Sequence, residues 1–303
     1  MSVAAVADLN QKFSIPGHVR FAAGPGGLIV AEVANVHATS TIALQGAHVM
    51  TWQPRQQRPV IWLSRFAKFA PGKSIRGGAP ICWPWFGPHA TEAKFPGHGF
   101  ARTVAWEVVG TRALRDGATE VSFRIVQDAA TKAQWPHATE ALNIVTVGRS
   151  LDLALVTRNL GGSAITVGDA FHTYFEVSDI RQCAIHGLGG CPYLDKVGGG
   201  KKQQQGAITI GEEVDRIYLD SVADVLIDDP GYRRRIRVTK RGSRSTVVWN
   251  PWTEKAAKMG DFGTHGYRNM VCVESTNAAD DVVQIPPGAE HRLWVRYALE
   301  PLG

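Results

Sequence analysis

The stretch "SLDLALVTRN", residues 150–159, places Leu151, Leu153 and Leu155 at every second position, with polar or small residues between them. Alternation of this kind sends successive side chains to opposite faces, which is the pattern of a strand packed on one side. The pattern recurs along the chain. "EVSFRIVQ" (120–127) alternates Val121, Phe123 and Ile125 with polar residues, and "HRLWVRYALE" (291–300) does the same with Leu293, Val295 and Tyr297. Similar runs occupy 27–36, 39–45, 47–52, 103–110, 140–147, 222–227 and 244–249, punctuated by glycine, proline and Asn/Asp. Many short strands between turn signals predict an all-β fold, an antiparallel sandwich. Helical patterns are few: a short amphipathic surface helix over 4–13 and about two turns in "TEKAAKMGD" (253–261). No linker and no internal repeat divides the chain, so one domain over 1–303 is expected, with 1–14 a short N-terminal extension. The glycine-rich "KVGGGKKQQQG" (196–206) reads as a mobile loop.

Of the 303 residues 44% are hydrophobic and 20% charged, an ordinary globular balance. No apolar run approaches the roughly 20 residues that span a bilayer. "MSVAAVADLNQKF" has neither a basic start nor a long apolar run, so no secretion signal is expected. Cys82, Cys183, Cys191 and Cys272 show no CxxC and no metal spacing, which fits reduced thiols in a cytoplasmic protein. The formal charge of +6 is moderate. Its densest stretch, "YRRRIRVTKRG" (232–242), alternates like a strand with a solvated face, so no nucleic-acid partner is expected; a cleft that attracts a small anion is.

Three motifs mislead. "AKFAPGKS" (67–74) matches a relaxed phosphate loop, but the prolines and glycines of "IRGGAPICWPWFGPH" forbid the helix that must follow. The histidines form no HExxH or HxH, and a lone His89 or His98 reads as a hydrogen-bonded structural residue rather than a zinc ligand, so no metal is expected. No GxSxG elbow marks a serine hydrolase.

Four stretches are poorly explained by folding alone. In "SIRGGAPICWPWFGP" (74–88), Arg76 precedes two glycines that let backbone amides approach a ligand, and Trp83, Trp85 and Phe86 offer flat walls for a sugar ring. "FPGHGFARTVAWE" (95–107) sets His98 and Arg102 four residues apart around a glycine turn. "GDAFHTYFEVSDI" (168–180) buries His172 among aromatic and β-branched residues. In "NMVCVEST" (269–276), Glu274 ends an apolar run, where desolvation raises a carboxyl pKa toward general-base values.

With these residues assembled, the chain resembles the aldose 1-epimerase (galactose mutarotase-like) superfamily, in its hexose-6-phosphate branch. "RGGAPICWPWFG", "HGFAR", "FHTYFEVSDI", "DRIYL", "VWNPW" and "MVCVES" carry the likeness in the family's order. The resemblance implies a β-supersandwich, a single domain, no cofactor, and a hexose 6-phosphate, chiefly glucose 6-phosphate, whose anomers are interconverted; a monomer is expected. It implies His172 and Glu274 as the acid–base pair, Arg76 and Arg102 as phosphate ligands, Asp215 on sugar hydroxyls, and His98 beside the ring. Some relatives carry glutamine where Gly97 stands, so one substrate contact is expected to be missing or replaced.

Anomerisation needs one base at the C1 hydroxyl and one acid at the ring oxygen. Histidine titrates near neutrality and serves both directions. Three other readings stay open: a non-catalytic sugar-binding module, a hydrolase or lyase on a related scaffold, and a mutarotase of unphosphorylated aldoses. A hydrolase wants two carboxylates. The third reading turns on whether Arg76 and Arg102 share one pocket.

Overall fold

A computed structural model describes residues 3–302. Two eight-stranded antiparallel sheets carry most of the strand residues. The back sheet runs in the order 184–186, 225–229, 234–241, 290–301, 151–159, 139–147, 119–125 and 106–113. Leu153 faces Val145 on one neighbouring strand and Val295 on the other, and all three are buried. The leucine alternation thus becomes a central strand whose apolar face fills the interior.

The second sheet runs 201–203, 192–195, 214–218, 245–250, 270–276, 170–171 and 81–82, with 174–176 also paired to 270–276. The sheets meet where Phe175 packs edge-on against Tyr297, centroids 4.9 Å apart, and Thr173 Oγ1 lies 2.6 Å from the Tyr297 hydroxyl. Burying each large ring contributes about 1.5–3 kcal/mol. A four-stranded meander, 19–23, 29–34, 38–43 and 48–54, continues the apolar core.

The N-terminal helix is present as Val3–Phe13. It is pinned rather than loose: Asn10 Oδ1 accepts from Phe21 N at 2.8 Å, and its Nδ2 donates to Phe21 O at 2.7 Å. The second expected helix is Trp252–Lys258. A helix not foreseen, Ala129–Gln134, starts on a capping box between Asp128 and Thr131.

Two expectations need correcting. Within 196–206, Lys201–Gln203 forms an edge strand on Pro192–Asp195, and Asp195 accepts hydrogen bonds from Val197 N and Gly198 N. The turn that closes this hairpin is therefore held by one carboxylate. The basic strand Arg234–Arg241 has the expected alternation, but Arg234 and Lys240 fall on its buried side. Arg234 donates to the carbonyls of Arg58, Pro59 and Glu176, which compensates its burial. The outward Arg235 and Arg237 pair with Asp228, Asp224 and Glu300.

Candidate active site

Register alone lines up the site. Leu194 faces Ile217, Ile217 faces Val247, and Val247 faces Glu274 on successive strands. Asp215, Trp249, Cys272 and Tyr174 form the neighbouring row. Positions two apart on a strand share a face, so both rows project to the side away from Phe175 and Tyr297. His172 falls between the pairings of Phe171 with Ser275 and of Tyr174 with Cys272, opposite Glu274.

A cavity of about 580 Å³ opens over these rows. Arg76, His98, Arg102, His172, Asp215 and Glu274 all line it, so the six expected catalytic and substrate-binding residues reach one chamber. Arg76 and Arg102 therefore share a pocket. At its floor His172 Nδ1 lies 3.3 Å from Glu274 Oε1, close but not aligned for a hydrogen bond. Tyr174 stacks on the imidazole, and Trp249 meets it edge-on.

Burial, reinforced by Asp215, holds the Glu274 carboxyl well above its usual range. Burial, then the charges of His98 and Arg102, holds His172 well below its own. Uncharged acid with neutral imidazole, and carboxylate with imidazolium, contain the same single proton. The pair can thus change state by moving one proton across its gap, which is what a reversible acid–base step requires.

Arg76 Nε donates to Asp261 Oδ1 at 3.1 Å, and its Nη1 donates to the Tyr174 hydroxyl at 3.1 Å. Arg102 Nη2 donates to Gly97 O at 2.8 Å. His98 Nδ1 accepts from Gly87 N at 3.3 Å, leaving Nε2 as the nitrogen that carries hydrogen in the neutral ring. Burial, then Arg102, lowers His98 to about 4, so it meets a ligand uncharged. Burial raises Asp215, against the pull of Lys255 and Lys196. A side chain at Gly97 would meet only Gly87 O, at 3.9 Å, so the space beside it is open.

Parts of the sequence reading fail here. Trp83 is fully buried in the core and donates to Thr157 Oγ1; Trp85 packs on Phe95 and His89. Of the three proposed walls only Phe86 lines the cavity, and Trp249 and Tyr174 supply the others. Of the two glycines after Arg76, Gly78 does not offer its amide to a ligand. Gly78 N donates to Trp62 O, and both glycines hold positive φ where a Cβ would strike Trp62 O or His48. Their use is a tight turn that aims Arg76. Lys196, Lys255 and Asp261 also line the cavity and went unnoticed, because nothing in their local sequence sets them apart. His172, Cys272 and Glu274 additionally bring three potential metal-ligand atoms within 4.8 Å of one another.

The aldose 1-epimerase family profile matches residues 30–298. A protein of Escherichia coli K12 is 36% identical over 255 residues, 84% of each chain, and one of Salmonella typhimurium LT2 is 37% identical over 253 residues, 83% of each; both are provisionally named glucose-6-phosphate 1-epimerase. A crystal structure from Salmonella typhimurium, provisionally described as a mutarotase, superposes with a TM-score of 0.88 at 30% identity, covering 95% of this chain and 96% of that one. Among the described residues no helix is long and apolar enough to cross a membrane.

Proposed function

The chain belongs to the aldose 1-epimerase family, and on that premise we propose that it interconverts the α and β anomers of hexose 6-phosphates, chiefly glucose 6-phosphate. The observation that carries the proposal is the 3.3 Å approach of His172 to Glu274 in a cavity lined by Arg76 and Arg102. Glu274 takes the proton of the C1 hydroxyl while His172 delivers one to the ring oxygen. The C1–O5 bond opens to the aldehyde, C1 turns about C1–C2, and O5 closes on the other face with the roles exchanged. One proton enters the pair and one leaves, so the step balances within the pair and the sugar.

Charge supports a phosphorylated substrate. Arg76, Arg102, Lys196 and Lys255 face Asp215 and Asp261 in the cavity, while the His172–Glu274 pair, holding one proton between them, adds no net charge. The excess of two positive charges suits a phosphate dianion. Arginine–phosphate bonds are charge-assisted and often bidentate, and an anchored C6 end holds C1 between acid and base. Asp215 and His98 Nε2 serve as sugar-hydroxyl partners in this reading. The protein works as a single-domain, cytoplasmic monomer that needs no cofactor.

A mutarotase of free aldoses is favoured by one observation: Asp261 already neutralises part of Arg76. Exchange NMR decides between them. Anomer exchange should accelerate far more for glucose 6-phosphate than for glucose at equal protein concentration. Equal acceleration would remove the phosphate from the proposal.

A further inference from the structure

Cys272 precedes Glu274 by two residues on the strand Met270–Thr276, so the thiol and the carboxyl leave the same face. His172 approaches both from the opposing segment. The sulfur, one carboxylate oxygen and one imidazole nitrogen lie within 4.8 Å of one another. His172 Nδ1 and Glu274 Oε2 are buried and have no hydrogen-bond partner among the described residues. An imidazole nitrogen, a carboxyl oxygen and a soft sulfur therefore gather in one metal-sized space. The anomerisation uses the first two groups and has no role for the third.

We propose that His172, Cys272 and Glu274 form a binding site for a thiophilic divalent cation, Zn²⁺ by its ligand chemistry, and that filling it switches the enzyme off. The inhibition rests on the proposed function; the binding does not. Zinc takes nitrogen, oxygen and sulfur at about 2.0–2.3 Å in a tetrahedron, whose corners then lie about 3.3–3.8 Å apart. The 3.3 Å between His172 and Glu274 matches one such edge, and small side-chain rotations bring in the sulfur. Three protein ligands leave a fourth position open toward the cavity that His172 and Glu274 line. Mg²⁺ and Ca²⁺ prefer six or more oxygens and find one carboxylate here. As the ion binds, the Cys272 thiol and the His172–Glu274 pair each give one proton to solvent; nothing is oxidised or reduced. The ion then occupies the lone pairs that must accept and deliver protons. The guanidiniums of Arg76 and Arg102 oppose a dication, which sets the expectation at micromolar rather than nanomolar affinity.

The test titrates ZnCl₂ into the full chain by calorimetry and follows anomer exchange of glucose 6-phosphate by NMR in parallel. One ion should bind, activity should fall as the site fills, and chelator should restore it. Mg²⁺ should do neither. Cys272→Ala should keep its activity in zinc-free buffer and lose at least about tenfold in zinc affinity. If that variant misfolds, Cys272→Ser replaces it. Co²⁺ gives a readout independent of activity: a near-ultraviolet thiolate-to-metal band in the parent, absent from the variant. The inference is overturned by no binding up to millimolar zinc, by undiminished binding in the Cys272 variant, by full activity at saturating zinc, or by a missing cobalt–thiolate band. A protein that shows the cobalt band yet lacks anomerase activity keeps the metal site and loses the proposed function.

Discussion

Tyr174 lies flat against His172, ring centroids 5.1 Å apart and planes 12° from parallel, while its hydroxyl accepts a hydrogen bond from Arg76 Nη1 at 3.1 Å. One side chain thus touches both His172 and Arg76, the proposed proton-transfer and phosphate-binding groups. The two contacts separate by mutation. Tyr174→Phe keeps the stack and releases Arg76, so KM for the phosphorylated sugar should rise several-fold with kcat little changed. Tyr174→Leu also loses the stack, and kcat should fall for phosphorylated and free sugar alike. Steady-state kinetics on both sugars checks this; a kcat loss in the Phe variant equal to that in the Leu variant would refute the division.

His172→Asn and Glu274→Gln should each slow anomerisation about 10²-fold or more, the usual contribution of a general acid or base. Both replacements are close in shape, so ligand binding should persist. Exchange NMR with a parallel binding isotherm is the measurement, and near-parental turnover in either folded variant contradicts the assignment.

Much of this arrangement is legible in the sequence. Alternation marks the strands, and a histidine among core aromatics or a glutamate after "MVCV" stands out because burial of either is costly. What alternation cannot supply is register. Trp83, Trp85 and Phe86 look equivalent on the chain, yet Trp83 points into the core and Trp249, 166 residues later, forms the wall. Lys196 and Lys255 lie in a turn and a short helix that read as solvent-facing, and only the folded sheet brings them to the cavity. The Cys272–Glu274 spacing is visible; its third partner, His172, is 100 residues away and escapes any spacing rule. The helix Ala129–Gln134 escapes for another reason: six residues are too short for a periodic signal, and its start rests on the Asp128 cap.

Asp169 offers a test of burial. Among the described residues neither carboxylate oxygen has a hydrogen-bond partner, and His291 Nε2 is 3.9 Å away. Burial, then the charge of Asp281, pushes its pKa from the usual 3.8 up to about 8. Between those values the unfolded chain has released its proton and the folded chain keeps it. Folding then takes up a proton, so this residue's contribution to stability declines as pH rises from about 4 to about 8. Asp169→Asn removes the titration with little change of shape. Its Tm relative to the parent should climb steadily across that range, whatever its starting value. Thermal melts from pH 4.5 to 8 give the slope, and a flat difference would mean that Asp169 is ionised in the fold.

Arg76 and Arg102 should not respond alike to removal, because their partners differ. Each charge-assisted bond to phosphate contributes about 1.5–3 kcal/mol, so either Ala variant should weaken binding of glucose 6-phosphate by about ten- to a hundredfold. Among the described residues Arg102 donates only to a backbone carbonyl, and Arg102→Ala should lower affinity without further damage. Arg76→Ala also leaves the Asp261 carboxylate facing the substrate phosphate without its counter-ion. Like charges then repel across the cavity, and the loss should exceed that of Arg102→Ala. Replacing Asp261 by Asn in the Arg76→Ala background should recover part of it. Free glucose carries no phosphate, so its turnover should change little in all three proteins. The deciding quantity is the ratio of kcat/KM for phosphorylated and free sugar. A ratio that stays at the parental value in both arginine variants would show that neither guanidinium reads the phosphate, and would favour the mutarotase of free aldoses.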